Sequence, residues 1–96
     1  MSDIDAIRLR PEDNVATMLR AVAEGEAVRV RGGDEVTTLV AQDAIPLCHK
    51  ISLAPIARGH PVVKYGQSIG DATAPVAAGQ HVHIHNLRSA RARGAP

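Results

Sequence analysis

The sequence predicts a small, mainly β domain carrying one short α-helix, and three observations point there. The 96-residue chain is 45% hydrophobic but has no Phe or Trp and one aromatic residue, Tyr65. Its core must therefore be built from Val, Ile, Leu and Ala, which pack well on pleated sheets. Short apolar runs recur along the chain, several with the period-2 alternation of half-buried strands. Eight glycines and six prolines punctuate these runs, which favours compact strands joined by tight turns over long flat ones. A chain of this length is expected to form one core and one domain, burying only about two thirds of its unfolded surface.

Taken in order, residues 4–9 set Ile7 and Leu9 two apart among Asp5, Arg8 and Arg10, the alternation of a short strand. After Pro11, the positions of Val15, Met18, Leu19 and Val22 follow i, i+3, i+4, i+7 and predict the single helix. Asp13 or Asn14 is suited to cap its start, and Gly25 to end it in a left-handed conformation. Residues 27–31 and 36–41 read as an antiparallel hairpin around the turn Gly32-Gly33-Asp34. From Ile45 onward, the runs at 50–53, 62–65 and 81–84 read as further strands. They are separated by Gly59, Gly66, Gly70 and Gly79, with Pro46, Pro55, Pro61 and Pro75 interspersed. No repeat or low-complexity segment divides the chain. The domain is expected over residues 1–88, and 89–96, rich in Ala and Arg, reads as a flexible C-terminal tail.

Eleven basic against ten acidic residues leave a formal charge of +1. So weak a field, without aromatic platforms, argues against a nucleic-acid partner. No stretch approaches the roughly 20 apolar residues of a membrane span. The acidic start, Met-Ser-Asp-Ile-Asp, is unlike a secretory signal, and the lone Cys48 cannot form an internal disulfide. A cytoplasmic protein is expected.

The most unusual chemistry is His81-Val82-His83-Ile84-His85-Asn86. On a strand, period 2 would send the three imidazoles to one face and Val82 and Ile84 to the core. Same-face neighbours are then about 6.5–7 Å apart and the outer pair about 13 Å. Metal–nitrogen bonds are only about 2.0–2.1 Å, so one ion could take two neighbouring histidines from the strand and hardly all three. Further ligands must come from elsewhere, with His49 a candidate and a partner or substrate oxygen another. A solvated strand face explains the same pattern equally well, and a pH-sensitive interface is a third reading. His49-Lys50 opens a strand, where lysine could hold a carboxylate and histidine act as base or ligand; a surface basic pair is the plain alternative. Lys64-Tyr65 could present an ammonium and a phenol at a strand end, although a lone Tyr is more often simply packed. Cys48 is better read as a packed thiol than as a nucleophile, and His60 before Pro61 carries no signal of its own.

The run over residues 45–86, IPLCHKISLAPIARGHPVVKYGQSIGDATAPVAAGQHVHIHN, resembles the N-terminal domain of the altronate and galactarate dehydratase family, in particular its small-subunit members. His49-Lys50, the turn at 56–59, Lys64-Tyr65-Gly66, Ile69-Gly70 and HVHIHN carry the likeness in order, and Asp13-Asn14-Val15-Ala16 fits upstream. The resemblance implies a SAF-type β-clip fold and a part in sugar-acid dehydration with a large dehydratase subunit. A proton would leave the carbon next to the carboxylate, and hydroxide the neighbouring carbon. It implies a divalent metal, Fe2+ or Mn2+, with His83 and His85 and then His81 as ligands. His49 and Lys50 are the implied catalytic groups, and Lys64, Tyr65 and Asn86 the implied substrate contacts. Cys48 departs from the pattern where a small residue such as glycine is expected, and His60 where an acidic one is. Sulfolactate sulfo-lyase shares the small-subunit architecture, with sulfite leaving instead of hydroxide. A non-enzymatic module that binds sugar acids is the reading from another class, and self-association into a homo-oligomer stays open.

Overall fold

The computed structural model describes residues 3–89 and places nine strands among them. They are β1 (Ala6–Ile7), β2 (Val15–Met18), β3 (Ala27–Gly32), β4 (Glu35–Val40), β5 (Lys50–Ser52), β6 (Pro61–Lys64), β7 (Gln67–Ala72), β8 (His81–Val82) and β9 (Leu87–Ser89). Six of them form one sheet in the order β4-β3-β1-β2-β5-β8, and the other three form a second, β6-β7-β9. The β1–β3 pair is parallel, and the remaining pairs are antiparallel. Ser89 closes β9; the rest of the expected tail, residues 90–96, lies outside the described residues.

The core is aliphatic and divides in two. Met18, Val28, Val30, Ile45 and Ile51 centre one cluster over the larger sheet. Val15, Ile56, Val62, Val76 and Val82 centre the other against the smaller sheet. Each such side chain contributes about 1.5–3 kcal/mol on burial. The expected hairpin is present, with β3 and β4 joined by Gly33-Asp34 and paired from Gly32↔Glu35 to Ala27↔Val40. In the N-terminal strand the inward residue is Ala6, fully buried, while Leu9 is exposed.

The expected helix is absent: its residues form β2 and the bend after it, and no helix occurs among the described residues. Burial shows why the spacing misled. A helical face would bury Leu19 and expose Ala16, whereas Leu19 is 50% exposed and Ala16 1%. Hydrogen bonding explains the outcome. Asp13 and Asn14 do not cap the following turn; their side chains reach across the fold. The Asp13 carboxylate accepts from the amides of Arg10 (3.0 Å), Tyr65 (2.9 Å) and Gly66 (2.8 Å). Asn14 Oδ1 accepts from the Val63 amide at 2.7 Å, and its Nδ2 donates to the Pro61 carbonyl at 3.0 Å. With β1 on one side and β5 on the other, β2 satisfies its backbone in a sheet.

A turn repeated at four places organises the chain, contrary to the expectation of no repeat. In each, a carbonyl accepts from the amide three residues on: Ala23 from Glu26, Pro46 from His49, Ala57 from His60 and Ala77 from Gln80. The third residue of each turn is left-handed: Gly25 (φ 90°), Cys48 (71°), Gly59 (83°) and Gly79 (90°). Its amide, and the carbonyl after it, bond to one strand-end residue: Ala41, Met18, Ala72 and Ser52 respectively. The residues opening the turns, Val22 with Ile45 and Ile56 with Val76, pair by reciprocal backbone bonds of 2.8–2.9 Å. The shared pattern, an aliphatic residue followed three residues later by a left-handed one, was readable but was obscured where Cys48 replaces glycine.

Candidate metal centre

The second of these turns delivers His49 and Lys50 to the start of β5, whose Lys50 and Ile51 pair with Val82 and His81 of β8. Here the expected strand over 81–84 stops short at Val82. Asn86 ends it, because its Oδ1 accepts from the His83 amide (3.0 Å) while the His83 carbonyl accepts from the Asn86 amide (3.1 Å). Such a side chain competes with the sheet for local backbone groups. The period-2 row is therefore broken: Ile84 is 84% exposed instead of buried.

The turn folds the imidazoles together. One nitrogen each from His49, His81 and His83 lies within 4.8 Å of the others. His49 Nδ1 and His81 Nε2 share a hydrogen bond at 2.8 Å, with the donor set by tautomer. The His49 and His83 rings stack at 3.7 Å between centroids, and His85 lies against His81 at 4.8 Å, tilted by 40°. Two imidazoles of the trio come from the HVHIHN segment and the third from His49. His85 borders the trio without joining it.

Burial, with the neighbouring His85, His49 and His83, pushes His81 below its ordinary pKa, while Asp43 acts in the opposite direction. Desolvation, His49, Lys50 and His85 likewise lower His83. Neutral imidazole is the metal-binding form, so the donor set fits a divalent ion that accepts nitrogen ligands. Lys50, half-buried, is also pushed down, by desolvation and then by Lys64. The structure thus brings Lys50 and Lys64 close enough to repel. Tyr65 is turned elsewhere: it is 62% exposed, with the Arg10 guanidinium 5.0 Å from its ring centroid. The polar atoms of the Asn86 side chain serve backbone, Nδ2 donating to the His81 carbonyl at 2.8 Å. His60 is exposed, within the third turn.

One carboxylate, Asp43, escaped the sequence reading, and another, Asp13, was read as a helix cap and has a different role. Asp43 accepts from the His81 amide at 2.9 Å across 38 residues, and nothing in the sequence near it signals this. Asp13 holds the left-handed pair Tyr65 (φ 58°) and Gly66 (φ 74°), the geometry of a type I′ hairpin turn. Burial works against its charge, but the amides of Gly66, Tyr65, Arg10 and Leu9 outweigh it and hold its carboxyl below the usual range.

Comparison with known proteins gives this geometry a family. The model described as altronate/galactarate dehydratase SAF domain matches residues 4–90. The chain belongs to that family. It is 46% identical over 83 residues to altronate dehydratase of Escherichia coli (strain K12), covering 86% of this chain and 16% of that protein. Altronate dehydratase of Bacillus subtilis (strain 168) is 34% identical over the same length, again with 16% of it covered. The subunit alpha of (2R)-sulfolactate sulfo-lyase from Paracoccus pantotrophus is 38% identical over 53 residues, which are 55% of this chain and 79% of that subunit. The chain thus spans about a sixth of the altronate dehydratases it matches. The all-β body of two small sheets is a SAF domain, as the resemblance implied. Among the described residues no helix is long and apolar enough to cross a membrane.

Proposed function

We propose that this chain is the small subunit of a metal-dependent sugar-acid dehydratase. With a large catalytic subunit it would remove water from an aldonate or aldarate to give a 2-keto-3-deoxy acid. The observation that carries the reading is the convergence of His49, His81 and His83, with donor nitrogens within 4.8 Å of one another, in a chain of the dehydratase family. These three would hold Fe2+ or Mn2+, which when bound supplies Lewis acidity toward the oxygens of a hydroxy acid. Lys50 and Lys64 put two positive charges beside the imidazoles, suited to a substrate carboxylate. Desolvation and the neighbouring Lys64 lower the pKa of Lys50, which makes its ammonium a readier proton donor than an ordinary lysine. Asp43 and Asn86 hold the backbone of the segment and so fix where His81 and His83 stand. The three imidazoles leave coordination positions that substrate and partner would complete. A cytoplasmic setting fits the exposed free thiol of Cys48.

One observation favours a second reading, a sulfolactate sulfo-lyase-like small subunit. The chain spans most of the length of those alpha subunits, 62% and 79%, whereas it spans 16% of the altronate dehydratases. Co-expression with the large lyase chain of the same genome, followed by assay with altronate, galactarate and sulfolactate in the presence of Fe2+, separates the two. Loss of water from a sugar acid supports the first, and sulfite release from sulfolactate the second. If the purified pair consumes none of the three, the enzymatic reading is wrong. Sugar-acid binding by the isolated chain in calorimetry, without turnover by the pair, would point instead to a binding module.

A further inference from the structure

Two segments run antiparallel toward the imidazoles, residues 18–22 and residues 45–49. They are tied at one end by the Val22–Ile45 bridge and at the other by Cys48 N–H to the Met18 carbonyl (3.0 Å) and Met18 N–H to the His49 carbonyl (2.8 Å). Their outer surface is largely aliphatic, with the exposed Arg20, paired to Asp5 and Glu26, the charge it carries. Leu19 and Leu47 are 50% and 54% exposed, and Ala21, Ala44 and Pro46 line an open groove of about 290 Å³. The strip ends at His49, on whose ring His83 stacks. The next residue, Ile84, stands in solvent on the turn that Asn86 pins. An aliphatic side chain held out by a locked turn is a preformed anchor, which loses little freedom when it is covered. Beside it stand the ammonium groups of Lys50, which acts on His83, and Lys64, which acts on Lys50, while the Asp43 carboxylate lies on the His81 side.

We infer that this strip and Ile84 form the docking surface for the large lyase chain. The complementary face on that chain is an apolar knob filling the groove and a pocket receiving Ile84, ringed by carboxylates opposite Lys50 and Lys64. Docking there closes the open side of the histidine cluster and excludes water from it. The identity of the partner rests on the dehydratase-subunit reading; the surface itself rests on exposure and charge.

The test is titration of the full chain with the large lyase chain of the same genome, for the wild type, Ile84→Asp, Leu47→Asp and, on the distant strand β4, Val36→Asp. All three positions are exposed, and thermal melts check that each variant is folded. Ile84→Asp and Leu47→Asp should each weaken binding by about tenfold or more, because a buried unpaired carboxylate opposes association; Val36→Asp should leave it within about twofold. Wild-type binding should also weaken as salt is raised. Unchanged affinity in both site variants overturns the inference, as does failure of the wild-type chain to bind at all. Salt-independent binding overturns the carboxylate ring. A complex that the two variants weaken but that turns over neither sugar acid nor sulfolactate supports the docking surface while overturning the dehydratase reading.

Discussion

Replacing Cys48 with glycine should stabilise the protein, and the three sister turns serve as internal controls. Cys48 holds φ 71° where Gly25, Gly59 and Gly79 hold 83–90°. For an L-residue that conformation costs about 1–2 kcal/mol. Glycine removes the cost but adds about 0.5–1 kcal/mol of unfolded-chain entropy. The net gain is about 0.5–1 kcal/mol, worth about 2–8 °C in Tm for a domain of this size. The reverse change, Gly59→Ala, meets no atom within 4 Å, so its loss is conformational alone and of the same size as the Cys48→Gly gain. Gly79→Ala must lose more, because the added methyl collides with the Val40 carbonyl oxygen. Thermal unfolding followed by far-UV circular dichroism reads all three, the chain having no Trp for fluorescence. A Cys48→Gly variant that melts lower than wild type, or a Gly59→Ala variant as stable as its parent, would refute the reasoning. Metal binding by Cys48→Gly should match wild type, since the thiol is not among the three converging donors.

Asp13→Ala strips three backbone amides of one buried acceptor and should cost about 3–5 kcal/mol at neutral pH, measured by urea denaturation; a loss under about 1 kcal/mol would show those amides satisfied by water. Its folded pKa is depressed, so its stabilisation is present above about pH 4 and is lost as pH falls through the folded value. His49→Ala, His81→Ala or His83→Ala should each weaken Fe2+ or Mn2+ binding by the isolated chain by more than about tenfold, with His85→Ala having less effect; equal losses for all four would mean that the ring contacts, not coordination, set the site. The folded pKa values of His81 and His83 are also lowered. The unfolded chain therefore takes protons first, and stability present above about pH 6.5 should decline as pH falls from there toward the folded values. A melting temperature that stays flat between pH 7 and pH 5 in the metal-free His81→Gln, His83→Gln double variant but falls in wild type would assign the slope to these two groups.

What the sequence determined by itself was composition-driven. Aliphatic residues without Phe or Trp could only build an aliphatic, sheet-based core, and Val28 and Val30 alternating with Arg29 and Arg31 set the hairpin and its inward face. The arithmetic of metal–nitrogen distances also required His49, or another residue, to join any pair from the HVHIHN segment. Tertiary structure decided the rest, because the deciding bonds join residues far apart in the chain. The apolar spacing from Val15 to Val22 suits a helix as well as a strand, and β2 won because β1 and β5 offered strand partners, and β6 partners for Asn14, that no local window contains. His81, His83 and His85 looked like an extended row until Asn86 bent it and His49, 32 residues away, met His81 at 2.8 Å. Asp43 acts on an amide 38 residues away, and Asp13 joins the nearby Arg10 amide to two that lie 52 and 53 residues away. Local pattern sets which residues prefer the interior; which of them meet at a site depends on a register of long-range backbone pairs, and only the folded chain supplies it.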